Sequence, residues 1–358
     1  MRRQAGIRTV AAGLAGALVL GMSSACAPEP AFEEVVPVVR AIVEAHHAPG
    51  AIVAIEVGGE RRVLTFGDAA ADDRSAYRSI TKSFVGTVVL QLAEEGALGL
   101  DDPIGEHLPQ VRDGDRTIRQ LLAMRSGIPN YSAQQAFFDA FGADPLRSWT
   151  DEELLELAQT TPADFAAGTR YAYSNTNTVI LGMLIEAVTG RSWAEEVHDR
   201  IAVPLGLDSV VYPAEPLGEP RLQPFLIEDG EASPAPEVPA SAFSGAGGLS
   251  GTADDLLSWA QALARGVLLD PATQAERVAD PSEPSTDPKS PHYDAYGLAI
   301  GELDGWWGHT GNGLGYEALA MADPATGDGI AVLLSASDAA DGEIPAEIYE
   351  AIRTALAR

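Results

Sequence analysis

Cysteine is all but missing from this 358-residue chain; Cys26 is the only one, so no internal disulfide can form. Cations are scarce as well, with 23 Lys and Arg against 52 Asp and Glu. Three of them (Arg2, Arg3, Arg8) lie in the first 26 residues, which hold no acid. The remainder therefore sets 20 positive charges against 52 negative ones. Nucleic acid and anionic lipid need cationic patches, and such a surface repels both. The charge reads as solubility rather than as a specific partner. Histidine offers no metal site. His46 and His47 are an isolated pair after a helix, and His107, His198 and His292 have no ligand spacing with acids or Cys. No metal and no other cofactor is expected. Past residue 26 no run is long and apolar enough for a membrane span, which takes about 20 residues.

What is present is 46% hydrophobic and 21% charged, the balance of a globular chain rather than a disordered one. The length allows one large domain or two ordinary ones. At the N-terminus a basic start precedes an apolar run from Thr9 to Met22, of signal-peptide length and short for a span. Cys26, behind Ser24-Ala25, stands where a bacterial lipobox places its acylated cysteine. Ser23 takes the position that usually holds Leu, and Ala25-Cys26-Ala27 also fits ordinary cleavage after Ala27. The expectation is export with a lipid anchor on Cys26, and free secretion is the alternative.

Residues 27–31 read as a tether, and 32–358 as one domain. Phe32 to His47 has a helical pattern with an apolar side. Ala51–Val57 and Arg62–Phe66 flank Gly58-Gly59 as a hairpin. A second strand group is expected at Tyr296–Ile300, Trp306–His309, Glu317–Ala322 and Ile330–Leu334, before a terminal helix over Glu343–Ala357. Between these groups the pattern is helical, at Phe84–Leu98, Ile118–Met124, Asp151–Gln159, Thr178–Val188 and Trp193–Ile201. Residues 213–240, rich in Pro, Glu and Ala, read as a surface loop. Strands at both ends with helices between them predict an α+β fold: an antiparallel sheet flanked by N- and C-terminal helices, with an all-helical insertion at about 90–240.

The chemistry-bearing residues begin at Ser79-Ile80-Thr81-Lys82, where the strongest helix opens. Three residues apart, Ser79 and Lys82 share one helix face. A helix N-terminus offers unpaired N–H groups to a developing oxyanion. The apolar run after it buries the Lys stem, and desolvation lowers a lysine pKa towards that of a usable base. The chain has only two lysines, Lys82 and Lys289, against 21 arginines. Arginine cannot give up its proton, so one of two deprotonatable amines stands beside a serine. Tyr173-Ser174-Asn175 offers a phenol that can relay a proton and a carboxamide that can hold a peptide bond, or else caps the next helix. His309-Thr310-Gly311, followed by Asn312, ends an expected strand where a glycine admits a ligand's backbone, or simply marks a strand-to-turn transition.

Ser-x-x-Lys, Tyr-x-Asn and His-Thr-Gly in this order resemble the serine β-lactamase and D-alanyl-D-alanine carboxypeptidase superfamily. The Tyr form resembles its class C β-lactamase and secreted DD-peptidase branch. The likeness extends through Gln91-Leu92-Ala93-Glu94-Glu95-Gly96, Arg125-Ser126-Gly127 and Gly247-Gly248-Leu249. The resemblance implies an acyl-enzyme on Ser79, with Lys82 taking its proton and Tyr173 passing one to the leaving amine. It implies that Asn175 binds the substrate amide and that His309 and Thr310 contact a substrate carboxylate. The N–H groups of Ser79 and Asn312 would form the oxyanion hole. Implied substrates are peptidoglycan peptides, other small peptides or β-lactams, foremost as a D-alanyl-D-alanine carboxypeptidase. A β-lactamase, an esterase or a D-amino-acid amidase would use the same residues, and a non-catalytic envelope-binding module is the reading from another class. One departure stands out: carboxypeptidases of this branch resemble each other in an Arg just before His-Thr-Gly. Nothing cationic lies between Lys289 and His309 here, where Glu302 and Asp304 stand instead.

Overall fold

The computed structural model describes residues 32–214, 216–284, 291–338 and 343–356. The export signal, the tether and Cys26 lie outside the described residues. Helix α1 (Phe32–Ala45) leads into β1 (Gly50–Val57) and β2 (Glu60–Gly67). The chain returns to the same sheet at β3 (Ala295–Tyr296), β4 (Gly301–Leu303), β5 (Trp306–Gly313), β6 (Tyr316–Ala322) and β7 (Gly329–Leu334). The seven strands lie in the order β2-β1-β7-β6-β5-β4-β3, and every pairing is antiparallel. The α+β fold with an antiparallel sheet is therefore the one the sequence predicted.

The central strands are apolar on both sides because both faces of the sheet are covered. Ala51, Val53, Ile55, Leu319, Met321, Val332 and Leu334 pack against α1 and the C-terminal helix, Ile344–Leu356. From the other face Ile52, Ala54, Ala318, Ala320, Ala331 and Leu333 meet the helical layer. Ala253–Arg265 lies against this face. Thr252 caps its N-terminus, and Gly266 closes it in the left-handed conformation. At the centre runs α2 (Thr81–Glu94), buried from Thr81 through Leu90. A helix apolar all round belongs inside a protein, and each large side chain it buries contributes about 1.5–3 kcal/mol. Phe84 stacks on Trp259 with ring centroids 4.1 Å apart, and Trp259 donates its indole N–H to Ser83.

Three expectations are corrected. Tyr296–Ile300 is not one strand: Arg277 holds the carbonyls of Leu298 and Ala299, and Ala299 turns with φ 55°. Residues 213–240 are not only loop, because Phe225–Glu228 and Glu231–Pro234 form a hairpin that Ser337–Asp338 extends. Asp229-Gly230, both at positive φ, makes its turn, and that dipeptide was the signal to read. Finally, β5 runs past His309 to Gly313 and turns back through Leu314-Gly315, both at positive φ.

Candidate active site

Ser79 sits in the middle of a short turn, Arg78–Ile80, that feeds α2. Arg78 reaches this turn with φ 50°, a conformation that costs a non-glycine residue roughly 1–3 kcal/mol and recurs at functional sites. One turn on, Lys82 is fully buried and places Nζ 2.9 Å from Ser79 Oγ. The same amine donates to the Ala246 carbonyl at 2.7 Å. Desolvation alone drives its pKa well below the ordinary lysine value. A neutral amine still has a lone pair after bonding Ala246, and the 2.9 Å contact lets it accept the Ser79 hydroxyl proton.

On the other side of Ser79 stands Tyr173. Lys82 Nζ lies 4.9 Å from its ring centroid, and Tyr173 lines the same cavity as Ser79. Burial, and then the neighbouring Tyr293, raises the phenol well above its ordinary value. Burial favours the neutral form of both groups, so the Ser79 hydroxyl lies beside an amine made easier to deprotonate and a phenol that keeps its proton.

Asn175 opens α3 (Asn175–Thr189), with Ser174 at the cap position but making no side-chain cap bond. Its Nδ2 donates to Ser132 at 2.8 Å, and its backbone N–H goes to Asn130 Oδ1 at 3.2 Å. Ser132 thus orients the carboxamide, and Asn130 anchors the backbone that carries it. Sequence reading did not find them, because they lie over 40 residues away with no motif of their own. Ser126 is fixed in the same way, donating to Asn177 Oδ1 at 2.6 Å.

A cavity of about 290 Å³ opens over Ser79, Tyr173 and Asn175, with Thr310, Gly311 and Asn312 along one wall. Ala318, Pro291, His292, Glu343, Pro345 and Ala346 complete it, and the last five carried no sequence signal. His309 is not part of its lining. The imidazole is fully buried, with Nδ1 on the Thr310 carbonyl at 2.6 Å and the Tyr293 and Tyr296 hydroxyls each 3.1 Å from a ring nitrogen. Burial, and then Lys82, pushes its pKa down to about 3. His309 therefore lies behind the wall, and its imidazole does not face the cavity in this structure. Successive residues of a strand face opposite ways, so Thr310 and Asn312 share the cavity side and His309 cannot. Tyr293 supports that wall, with its hydroxyl 2.7 Å from Thr310 Oγ1 and accepting the Thr310 N–H at 2.8 Å.

That last bond also sets the phase of the strand. Thr310 turns its N–H away from β6, and so does Asn312 two residues on, towards the open edge of the sheet where β4 has ended. Gly311 is what lets β5 come this close to the nucleophile. A Cβ there would lie 2.3 Å from the Tyr77 carbonyl oxygen and 3.1 Å from the Ser79 nitrogen. Among the described residues no group of three His, Cys, Asp or Glu could hold a metal ion.

A serine flanked by a desolvated lysine and a phenol, on an antiparallel sheet with a helical layer, defines a serine hydrolase of the β-lactamase fold. A family model described as Beta-lactamase matches residues 35–353, and the chain belongs to that family. A D-stereospecific amidohydrolase from Streptomyces sp. superposes with a TM-score of 0.80 at 32% identity, over 90% of this chain and 98% of that one. Esterase EstB of Burkholderia gladioli is 30% identical over 69% of this chain and 67% of its own length. Penicillin-binding protein 4 of Amycolatopsis lactamdurans is 31% identical over 54% of this chain, and the match spans about half of that relative's length.

Proposed function

We propose that this chain hydrolyses amides or esters of D-residues through an acyl-enzyme on Ser79, and that its preferred substrates carry no free carboxylate on the leaving side. Lys82 accepts the hydroxyl proton, Tyr173 gives one to the leaving group, and Asn175 holds the substrate amide. The observation that carries the preference is the cavity wall. Among its described residues there is no Lys or Arg, and His309 is neutral and turned away. In their place is the half-buried Glu343, fixed by the His292 N–H at 2.7 Å. A carboxylate entering there gains no ion pair and meets a like charge. The likeness to the Streptomyces amidohydrolase supports the same reading.

The test is kcat/KM on free and C-terminally amidated D-Ala-D-Ala peptides from pH 5 to 8. The amidated peptide should be turned over at least as well as the free acid, since no charged hydrogen bond is lost on amidation. With His309 titrating near pH 3, the free acid should gain nothing as pH falls through this range. A hundredfold preference for the acid at pH 7 would overturn the reading. Lys289 lies outside the described residues, and Lys289→Ala would then show whether it supplies the clamp.

Export with a lipid on Cys26 is proposed on the basic start, the apolar run and the cysteine's position. Mass spectrometry of the native protein should find a diacylglyceryl-modified N-terminal Cys26. An unmodified N-terminus at Pro28 would mean free secretion instead.

A further inference from the structure

Arg78 combines two features that each cost stability. Its backbone is left-handed, and its guanidinium is buried at 5% exposure with no carboxylate among its hydrogen-bond partners. Burial pulls its pKa down to about 10, which leaves it charged at neutral pH. Filling the core needs no charge, and a glycine would adopt this turn without strain.

The guanidinium is spent on one neighbouring structure. Its Nε–H donates to the Gly313 carbonyl at 2.8 Å and an Nη2–H to the Leu314 carbonyl at 3.3 Å. It lies 4.3 Å from the Phe243 ring centroid and 5.3 Å from that of Tyr316, so aromatic faces hold it from two residues. Arg78 precedes Ser79 in the chain, and Gly313 follows Asn312. One side chain therefore bridges the turn that carries the nucleophile and the hairpin turn beside Asn312.

We propose that Arg78 is a positioning residue that fixes the spacing between the Ser79 and Asn312 N–H groups, the two donors of the oxyanion hole. The inference rests on the acyl-enzyme reading of Ser79. As Ser79 Oγ bonds the substrate carbonyl carbon, its proton passes to Lys82 and the carbonyl π pair moves onto the oxygen. That oxygen needs both N–H groups at hydrogen-bond distance at once. The donors sit on separate elements, the turn before α2 and the end of β5, and Arg78 ties one to the other. Its charge also favours the anion that forms there.

The test compares Arg78→Gly, Arg78→Met and Arg78→Lys with the full chain, using a p-nitrophenyl ester and a boronic acid that mimics the tetrahedral intermediate. Glycine relieves the left-handed strain while removing the guanidinium, so a purely local strain effect and a positioning effect go in opposite directions. The expected result for Gly and Met is a 10²–10³-fold fall in kcat, the loss seen when one oxyanion donor is removed, with KM changed less than about threefold. Boronate affinity should weaken in step with kcat/KM, and Lys should recover part of both. Thermal melting reports folding, and Met carries the same readouts if the Gly variant does not fold. A kcat within threefold of wild type in Arg78→Gly, or boronate affinity unchanged while kcat falls, would overturn the proposal. Failure of the underlying reading looks different: the wild type itself would show no ester burst that Ser79→Ala abolishes.

Discussion

Ser79→Ala is expected to lower kcat by about 10⁴–10⁶-fold on every substrate the wild type turns over, with the melting temperature nearly unchanged. The magnitude is that of removing the nucleophile, the member of the set without which no acyl-enzyme can form. Nothing else on the cavity wall replaces it. Among the described residues Lys82 bonds no second hydroxyl, and its other partner is the Ala246 carbonyl. The stability side follows from the environment. Ser79 is only half-buried, and the hydroxyl's loss leaves Lys82 still bonded to Ala246, so no buried amine is stranded. Steady-state rates on the purified variant, beside a melting curve, check both halves. Wild-type turnover in the variant would remove Ser79 from the mechanism.

Lys82→Met should cost roughly 10²–10⁴-fold in the acylation rate, the usual worth of a positioned base. Lys82→Arg should be no better, because a guanidinium stays protonated and accepts nothing. The wild-type pH profile carries the sign. Lys82 has a folded pKa held well below the ordinary lysine value by desolvation, and only its neutral form is the base. Acylation therefore rises with pH through that depressed pKa and levels off before the range of an ordinary lysine is reached. The Met variant should lose this acid limb. A flat profile in the wild type, or an active Arg variant, would shift the base to another group.

The buried strands were legible because a sheet covered on both faces writes itself as apolar runs, Ala51–Ile55 in β1, Ala318–Ala322 in β6 and Ile330–Leu334 in β7. The Ser79–Lys82 pair was legible for a different reason: helical spacing joins the two side chains without help from the rest of the fold. What escaped depends on distant partners. Arg277 interrupts the strand expected at Tyr296–Ile300 from about 20 residues upstream, and nothing in that strand's own sequence announces it. Glu343 enters the cavity wall by way of the terminal helix, and Asn130 reaches Asn175 across 45 residues. The orientation of His309 follows from strand alternation, which sets its side chain opposite those of Thr310 and Asn312, where Tyr293 and Tyr296 enclose it.

Intact-mass measurement after mixing the enzyme with a slowly released acylating substrate, such as a penicillin or a bulky D-amino-acid ester, bears most directly on the acyl-enzyme account. The account predicts a single added acyl group, mapped by peptide digestion to the segment holding Ser79 and absent from Ser79→Ala. Turnover of the same compound with no adduct on Ser79, or an adduct that persists in Ser79→Ala, would contradict it.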